Sequence, residues 1–530
     1  MAESFISGIN SNLDTTDIVN KLLQLQRRPI DLLEAKADLE AEKLLTFQDL
    51  QSRLQTFKSL VTTLNSESKF LSTQGGFSNN NASDNNQVVT IDTTSQAASG
   101  TFSLTINSLA RESKLVSEGF SSTSGAVTIG TLEIIVGEVT TTITIDSSNN
   151  TLDGLRLAIN NSGADIKASF LNDGSATNPI RLVISGTKTG VDNSVSFGTS
   201  GALTFTETQA AQNASLTLDG ITITKSSNTV TDIIAGTTLK LQSAGSGTIT
   251  LSSDIDAVKE KISSFVDGYN ELVTFIKEQQ FLDPDTFETG LLFGNFTVQN
   301  LQQTLRNIFS SRVEGLSGDF NSLSQIGIRS QADGTLEIDD GDLTEALTSD
   351  IGNVARLFAS KGTTTDSDVT FIGFTSVTLS NTYDLRVSGG VPQLSVAGQN
   401  EYTDAVGSGN FFSGAVGTPA EGLNFRIGSL TNGSFGTITL SFGVGELINQ
   451  MLTKLTDKSL NGPLTTEIDT FTSTINDLDE QIRALESRLE VFEVDLRKRF
   501  TNLEIIIGRL NSQKDAFESA LGGLQNLFKK

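Results

Sequence analysis

The C-terminal end of this 530-residue chain carries a regular heptad pattern, which constrains the fold more than any other sequence feature. Between residues 468 and 496 apolar side chains recur at alternating steps of three and four residues, as in a helix packed lengthwise against another. One extra four-residue step then reaches Phe500, a stutter that locally unwinds a left-handed supercoil. The stripe comprises Ile468, Phe471, Ile475, Leu478, Ile482, Leu485, Leu489, Phe492, Leu496, Phe500, Leu503, Ile507, Leu510, Phe517, Leu521, Leu524 and Phe528. We therefore predict a long C-terminal helix that needs helical partners.

The N-terminal end predicts a second helical region. Residues 13–17 (Leu-Asp-Thr-Thr-Asp) form a helix-capping cluster, and the apolar residues Ile18, Leu22 and Leu25 follow at helical spacing. Pro29 interrupts this run and predicts a kink or the first turn of a second helix. The apolar pattern then resumes with Phe47, Leu50, Leu54, Phe57, Val61 and Leu64. The two ends are therefore expected to pack together as a helical bundle.

The middle of the chain reads as β-rich, in two separate stretches. Residues 77–254 contain short alternating segments such as 101–106 and 142–145, and Asp219-Gly220 predicts a tight hairpin. A second stretch, about residues 366–442, is rich in Gly, Ser and Thr and weakly repeats the 101–106 pattern at 382–387. Helical patterns return between the two stretches and again from about Glu446. The chain thus leaves a helical body twice and returns to it twice.

We accordingly predict an α+β multidomain protein, with a terminal coiled coil or helical bundle and nested β-rich insertions. The expected segments are an N-terminal helical assembly segment (1–45), a helical body in three parts (46–76, 255–365 and 443–495), β-rich inserted domains (77–254), a second β-rich insertion (366–442) and a C-terminal helical assembly segment (496–530).

Composition removes most catalytic chemistry. The chain has no cysteine, no histidine and no tryptophan, so it cannot build a histidine-based nucleophile system, a thiolate site or an imidazole metal site. Carboxylate-pair hydrolysis and oxygen-ligand metal sites remain open. We expect no enzyme activity, no cofactor and no metal.

Charge narrows the range of partners. The net charge of −25 is concentrated in residues 73–449, which hold −21, whereas the two ends carry −2 each. No basic patch able to neutralise phosphates is present, so nucleic acid is not expected as a partner. No apolar run is long enough to span a membrane, and the start lacks the features of a cleaved signal peptide. These signals alone favour a cytosolic protein.

The acidic clusters of the middle are the remaining candidate sites. Asp333-Gly334 predicts a hairpin turn, and Asp340 or Asp342 is expected to cap a helix that begins at Leu343, since the calcium-loop spacing fails. The acids at 283–285 and 366–368 lie in turn-like contexts. We interpret all of them as structural or solvated, and name no catalytic, cofactor or metal residue.

The extreme ends are expected to act by assembly. A single apolar stripe does not offset the entropy of ordering helices of this length, so these helices need partners. The residues predicted to form the assembly interface are Ile18, Leu22, Leu25, Phe500, Leu503, Ile507, Leu510, Phe517 and Leu521.

Several segments, in their order along the chain, resemble the flagellar hook-associated protein 2 family, the bacterial flagellar filament cap. The opening motif corresponds to residues 5–23, and Arg28-Pro29 begins its continuation through residue 34. Further matching segments are 142–190, 228–239, 261–272, 461–464, 485–490, 497–504 and 510–513. Residues 366–442 match no part of the family pattern and are interpreted as an extra outward domain.

The resemblance implies a structural protein at the distal tip of the flagellar filament. Such caps are rings of identical subunits, with a pentamer as the default expectation, in which terminal helices form legs and β domains form a plate. Exported flagellin polymerises beneath the plate. The implied partners are other copies of the chain, flagellin, the hook–filament junction protein and an export chaperone. The implied route is flagellar type III export without a cleaved signal peptide.

Two other functions stay open at this point. The β domains could form a surface adhesin or glycan-binding module on a helical stalk. Alternatively, the chain could be a filament subunit of the flagellin or junction type.

Overall fold

The computed structural model describes residues 14–80, 87–198, 203–313, 316 and 318–527, with side chains to residue 522. Residues 5–13 of the opening motif and Phe528 therefore lie outside the described residues, as does the side chain of Leu524. The described part contains the α-helices α1 (Thr15–Thr62), α2 (Glu67–Phe70), α3 (Leu152–Asn160), α4 (Ile255–Gln279), α5 (Phe296–Ser310), α6 (Asp340–Phe358), α7 (Val444–Thr456) and α8 (Pro463–Leu527).

The strands fall into two groups along the chain. The first group is β1 (Thr73–Asn79), β2 (Val89–Thr93), β3 (Gly100–Ser108), β4 (Lys114–Ser117), β5 (Gly130–Val136), β6 (Val139–Ile145), β7 (Ile166–Asn172), β8 (Ile180–Gly186), β9 (Val195–Phe197), β10 (Phe205–Gln209), β11 (Ala214–Leu218), β12 (Ile221–Lys225), β13 (Thr229–Val230), β14 (Thr237–Leu241) and β15 (Gly245–Ser253). The second is β16 (Ile328–Ser330), β17 (Leu336–Ile338), β18 (Lys361–Thr364), β19 (Val369–Gly373), β20 (Asn381–Ser388), β21 (Val391–Val396), β22 (Thr403–Asp404), β23 (Val406–Ser408), β24 (Phe411–Ser413), β25 (Asn424–Ile427) and β26 (Gly433–Ser441).

The chain forms two compact units. The β unit comprises Ser66–Lys261 with Thr344–Ala355. The helical unit comprises Met1–Asn65, Ile262–Leu343 and Arg356–Lys530. The predicted α+β class with helical ends is confirmed, while the seven-segment division of the chain stays a prediction. Within the described ranges, no helix is both long and apolar enough to cross a membrane.

The β unit contains two β domains. In the first β domain, a five-stranded sheet of order β1-β15-β3-β11-β12 accompanies a three-stranded sheet, β13-β14-β2. Alternate side chains of these strands, such as Leu104, Ile106, Leu216 and Ile249, are buried in one core because successive strand residues point to opposite faces. The second, nested between β3 and β11, combines the sheets β10-β4-β8-β7 and β6-β5-β9 with helix α3.

Local turn chemistry positions these strands as the sequence predicted. Asp219 and Gly220 both adopt positive φ between β11 and β12, which confirms the predicted tight hairpin. Thr151 caps α3, its side chain accepting a hydrogen bond from the backbone N–H of Gly154 at 3.0 Å.

The helical unit carries a third β domain, residues 361–442, with the sheets β18-β26-β20-β21-β22 and β19-β25-β24-β23. Its core includes Tyr383, Leu385, Phe425 and Ile438, all almost fully buried. The Tyr383 hydroxyl donates to backbone carbonyls of Leu379 and Pro419, each at 2.7 Å, and burial raises the pKa of Tyr383 to about 12.

The first and third β domains share one strand topology. In each, the first strand pairs with the last (β1 with β15, β18 with β26), the last pairs with the third, and the second pairs with the next-to-last. The last strands contain the same hexapeptide, Gly-Thr-Ile-Thr-Leu-Ser, at 247–252 and 436–441. Their isoleucines lie opposite equivalent residues, Ile249 opposite Phe102 and Ile438 opposite Tyr383. The weak sequence match between 101–106 and 382–387 thus falls on equivalent strands of a repeated domain.

Equivalent glycines provide a test of this repeat. Gly75 lies opposite Leu251, and a Cβ there would overlap the side chain of Ile91; Gly362 lies opposite Leu440, and a Cβ there would overlap the ring of Phe371. We expect Gly75→Ala and Gly362→Ala each to destabilise its own domain by about 1–3 kcal/mol through overpacking. Hydrogen exchange followed by mass spectrometry measures the opening of each domain separately.

Two neighbouring glycines serve as controls for that experiment. A Cβ at Gly76 would lie 4.0 Å from the Thr250 carbonyl oxygen, and one at Gly373 would meet nothing within 4 Å. Gly76→Ala and Gly373→Ala should leave exchange unchanged. Equal effects of all four substitutions would contradict the equivalence of Gly75 and Gly362.

Packed aromatic rings form the core of the helical bundle. The ring of Phe265 on α4 lies 5.5 Å from Phe57 on α1, 6.0 Å from Phe309 on α5 and 6.0 Å from Phe358 on α6, measured between centroids. Beside it, the Tyr269 hydroxyl donates to the backbone carbonyl of Gly334 at 2.9 Å, and burial raises the Tyr269 pKa to about 12. These contacts draw four distant chain segments into one core.

Two sequence predictions about helix boundaries were wrong. Pro29 does not begin a second helix, because α1 continues from Thr15 to Thr62 with Pro29 inside it. The adjacent Ile30 is only 1% exposed, so its burial offsets the roughly 3 kcal/mol that an interior proline costs. Helix α6 is capped by Asp339, not by Asp340 or Asp342, since the Asp339 carboxylate accepts from the backbone N–H groups of the residues at 341 and 342.

Candidate assembly surface

The two longest helices, α1 and α8, pack against each other. The Phe47 ring in the last third of α1 lies 5.2 Å from the Phe471 ring near the start of α8. Because α1 then extends back toward Thr15 and α8 forward toward residue 527, helices in contact along their length run antiparallel. The bundle end of this pair is firmly buried, with Leu50, Leu54 and Leu478 at 4% exposure or less.

The predicted interface residues lie along the far half of this helix pair. Ile18 and Phe500 are each 29 residues beyond the Phe47–Phe471 contact, so both are expected at one level of the pair. Ile18, Phe500 and Ile507 are half-buried in the isolated chain. The other predicted residues are 37% to 68% exposed: Leu22, Leu25, Leu503, Leu510, Phe517 and Leu521. Their role in assembly stays a prediction.

Helix α8 extends beyond the described part of α1. Thr15 precedes Phe47 by as many residues as Leu503 follows Phe471, so these two residues are expected opposite each other. No described α1 residue is therefore expected beside Leu510, Phe517 or Leu521. At this level two polar residues, Thr15 and Glu504, are nevertheless buried, at 6% and 3% exposure. Heptad reasoning missed both, because it selects apolar positions only.

Sequence reasoning also missed a second apolar stripe on α1. Leu25, Leu32 and Leu39 are separated by seven residues, and all three are exposed. Only Leu25 was predicted, although the seven-residue spacing was a usable signal. On α8, the exposed Val491 and Val494 lie outside the predicted seam at about the level of Leu25. The helix pair therefore presents apolar side chains on its outer faces as well as at its tip.

Several charged side chains on this surface pair with a residue of their own helix. Arg27 pairs with Asp31 at 3.1 Å on α1, while on α8 Arg497 pairs with Glu493 at 2.8 Å and Arg499 with Asp495 at 2.7 Å. Such exposed pairs four residues apart contribute little stability. Near the start of α1, the hydrogen bond from Lys21 to Asp17, with their charge attraction, raises the Lys21 pKa above its ordinary value. The exposed apolar side chains are therefore the feature that distinguishes this surface.

The acidic clusters make local hydrogen bonds and ion pairs. Asp333 accepts from the Thr335 hydroxyl at 2.7 Å and its backbone N–H at 3.1 Å, and these bonds lower the pKa of Asp333. Asp342 pairs with Arg329 at 2.7 Å, and Asp366 accepts from the backbone N–H of Asp368 at 2.9 Å. No group of three or more acidic side chains arranged to hold a metal ion is found among the described residues.

Family comparisons agree with the sequence resemblance. The family model for the flagellar hook-associated protein 2 C-terminus matches residues 211–512, and the model for the N-terminus of the same family matches residues 11–113. Together the two matches include most of both helical ends and the third β domain. Residues 366–442, expected to match no part of the family pattern, thus lie inside the C-terminal match.

Individual relatives carry the same family name. The B-type flagellar hook-associated protein 2 of Pseudomonas aeruginosa is 31% identical over 389 residues, covering 66% of this chain and 79% of the relative. The A-type protein of Pseudomonas aeruginosa is 26% identical, with coverage of 99% and 98%. The structure of the flagellar cap protein FliD D1-D2-D3 domains from Escherichia coli has a TM-score of 0.49 and 28% identity, covering 59% of this chain and 89% of that one.

These matches do not favour the adhesin or the flagellin-type alternative. The two family models span most of the segments that suggested the family, while residues 142–190 lie between the two matches. The chain belongs to the flagellar hook-associated protein 2 family.

Proposed function

We propose that this protein caps the distal end of the flagellar filament and promotes the insertion and polymerisation of exported flagellin. The observation that carries the proposal is the α1–α8 pair, whose outer faces and tip present exposed apolar side chains, in a chain that belongs to the hook-associated protein 2 family. Contiguous exposed apolar surface on a folded chain marks an interaction site. Helices of this kind suit lengthwise contact with other helices at the filament end.

The working form is a ring of identical chains, with a pentamer as the default stoichiometry. Segments 1–45 and 496–530 form the legs, and the β-rich segment 77–254 contributes the plate. The strongly acidic middle of the chain supports this arrangement, because a self-repelling surface stays solvated.

The partners follow from this role. Flagellin binds beneath the plate, the legs engage the filament end, and an export chaperone holds the C-terminal helix before export. The hook–filament junction protein is a further partner. The protein acts outside the cell at the filament tip, after type III flagellar export without a cleaved signal peptide. Its role is structural, without a catalytic step or a cofactor.

Deletion of the gene tests the function directly. We expect the deletion strain to release unpolymerised flagellin into the medium and to lose most motility, because no cap retains subunits at the filament end. Immunoblotting of culture supernatant and electron microscopy of cells measure both effects. Complementation with the wild-type gene is the control, and normal filaments in the deletion strain would contradict the proposal.

A further inference from the structure

A short hairpin after α4 presents an aromatic ring to solvent. The Phe287 backbone N–H donates to the Asp283 carbonyl at 2.9 Å, and the Asp283 N–H donates to the Glu288 carbonyl at 2.9 Å. The Asp283 carboxylate accepts from the N–H groups of Asp285 at 2.8 Å and Thr286 at 3.1 Å, and these bonds lower the Asp283 pKa. The hairpin, residues 281–290 and called here the Phe287 hairpin, is therefore held in one conformation.

Phe287 occupies this hairpin at a conformational cost. Its φ is +59°, in the left-handed region that bulky side chains rarely adopt, and its side chain is 78% exposed. The backbone is fixed on both sides, since Gly290 donates to the Phe281 carbonyl and Leu292 to the Gln279 carbonyl, each at 2.9 Å. A strained residue with an exposed ring adds little to the stability of its own chain, and strain of this kind concentrates at functional sites.

The surroundings of Phe287 resemble the centre of an interface. Phe281, Leu282 and Phe293, all close to it in sequence, are about half exposed. Asp285 and Glu288 are exposed beside the ring and give the hairpin an acidic rim. An apolar centre with a charged rim is the usual anatomy of a protein–protein contact.

The same helical unit contains a groove of complementary character. Helices α5 and α7 and the start of α8 enclose a cavity of about 460 Å³. Its apolar lining includes Leu301, Ile308, Leu447, Met451 and Leu455, and Lys454 supplies a basic group at the same groove. We call this the α5–α7 groove.

We propose that the Phe287 hairpin of one copy of this chain inserts into the α5–α7 groove of a neighbouring copy. The aromatic ring fits the apolar lining, and Asp285 and Glu288 complement Lys454 in charge. Hairpin and groove are different surfaces, so we assign the contact as head-to-tail, the type that builds a ring when the rotation between copies closes. This inference rests on the proposed ring and assigns surfaces to its subunit contact.

Cross-linking tests the contact without background, because the natural chain has no cysteine. One full-length chain carries Phe287→Cys and a second carries Met451→Cys. We expect an interchain disulfide in the mixture under mild oxidation, since the two thiols then lie within bridging distance. The control mixture pairs Met451→Cys with Phe411→Cys, an exposed position in the third β domain.

The outcomes separate this contact from the function. Cross-linking no greater than in the control, in preparations whose wild-type chain sediments as a ring, overturns the contact and leaves the capping function standing. Phe287→Cys chains that cross-link to each other in the yield expected for the mixture with Met451→Cys would also overturn the head-to-tail arrangement.

A glycine substitution separates a role of Phe287 in assembly from a role in the stability of its own chain. Phe287→Gly relieves the positive φ, so its unfolding midpoint should be unchanged or higher, while assembly measured by sedimentation weakens at least about tenfold. Lys454→Glu should weaken assembly, and adding Asp285→Lys to that variant should restore part of the loss. Unchanged assembly in Phe287→Gly overturns the proposal.

Discussion

Replacement of Leu510, Phe517 and Leu521 by serine is expected to abolish filament capping without lowering the stability of the folded chain. The three side chains are 57%, 68% and 47% exposed on α8, so their removal deletes little packing within the monomer. If they are buried on assembly, each contributes about 1–2 kcal/mol, and all three contribute about 3–6 kcal/mol. That loss lowers the assembly constant by roughly two to four powers of ten. Complementation of the deletion strain measures capping, and thermal unfolding of the purified protein measures stability.

A matched triple variant controls for general damage to α8. Gln513→Ser, Lys514→Ser and Glu518→Ser change the same stretch of helix at polar positions, and they remove a weak Lys514–Glu518 pair at 3.7 Å without altering the net charge. This variant should complement the deletion. Equal loss of capping in both triple variants would point to helix propensity, and would contradict the role given to the apolar stripe.

Local patterns predicted the elements of this fold well. The capping cluster at Asp14, the Asp219-Gly220 hairpin and the strand at 382–387 all lie where the sequence indicated, because each depends on residues close together in the chain. The prediction at Pro29 was wrong because it also used only the local sequence. The burial of Ile30 that keeps α1 continuous comes from packing, which the local sequence does not contain.

Long-range pairings could not be predicted from periodicity. Residues 73–79 pair with 247–253, and nothing in either segment alone specifies the other. The candidate assembly surface could likewise be predicted only in part from the sequence. Periodicity located an apolar stripe on α8, but only the packing geometry shows which of its side chains α1 leaves exposed. The Phe287 hairpin could not be recognised from the sequence, because its significance depends on both the positive φ and the exposure of Phe287.

Phe265→Ala is expected to cause the largest loss of stability in the helical unit. Phe265 is fully buried, and its ring contacts the rings of Phe57, Phe309 and Phe358, which belong to three other helices. Truncation leaves a cavity lined by four helices, which cannot all move to fill it. We therefore expect the free energy of unfolding to fall by about 3–5 kcal/mol. Because a folded domain is stabilised by only about 5–15 kcal/mol, this loss is a large part of the total. Chemical denaturation at protein concentrations below assembly measures it.

The comparison with an exposed phenylalanine separates burial from residue type. Phe411→Ala removes the same atoms from a side chain that is 60% exposed, and should change the unfolding free energy by no more than about 0.5 kcal/mol. Phe265→Leu keeps most of the buried volume and should fall between the two. Helix α1 contacts Phe265 through Phe57, and α8 packs on α1 through Phe471 and Phe47. Phe265→Ala should therefore also abolish capping, although no residue of the exposed stripes has changed. A loss near 1 kcal/mol for Phe265→Ala would mean that the ring cluster is not the element that holds the two long helices together.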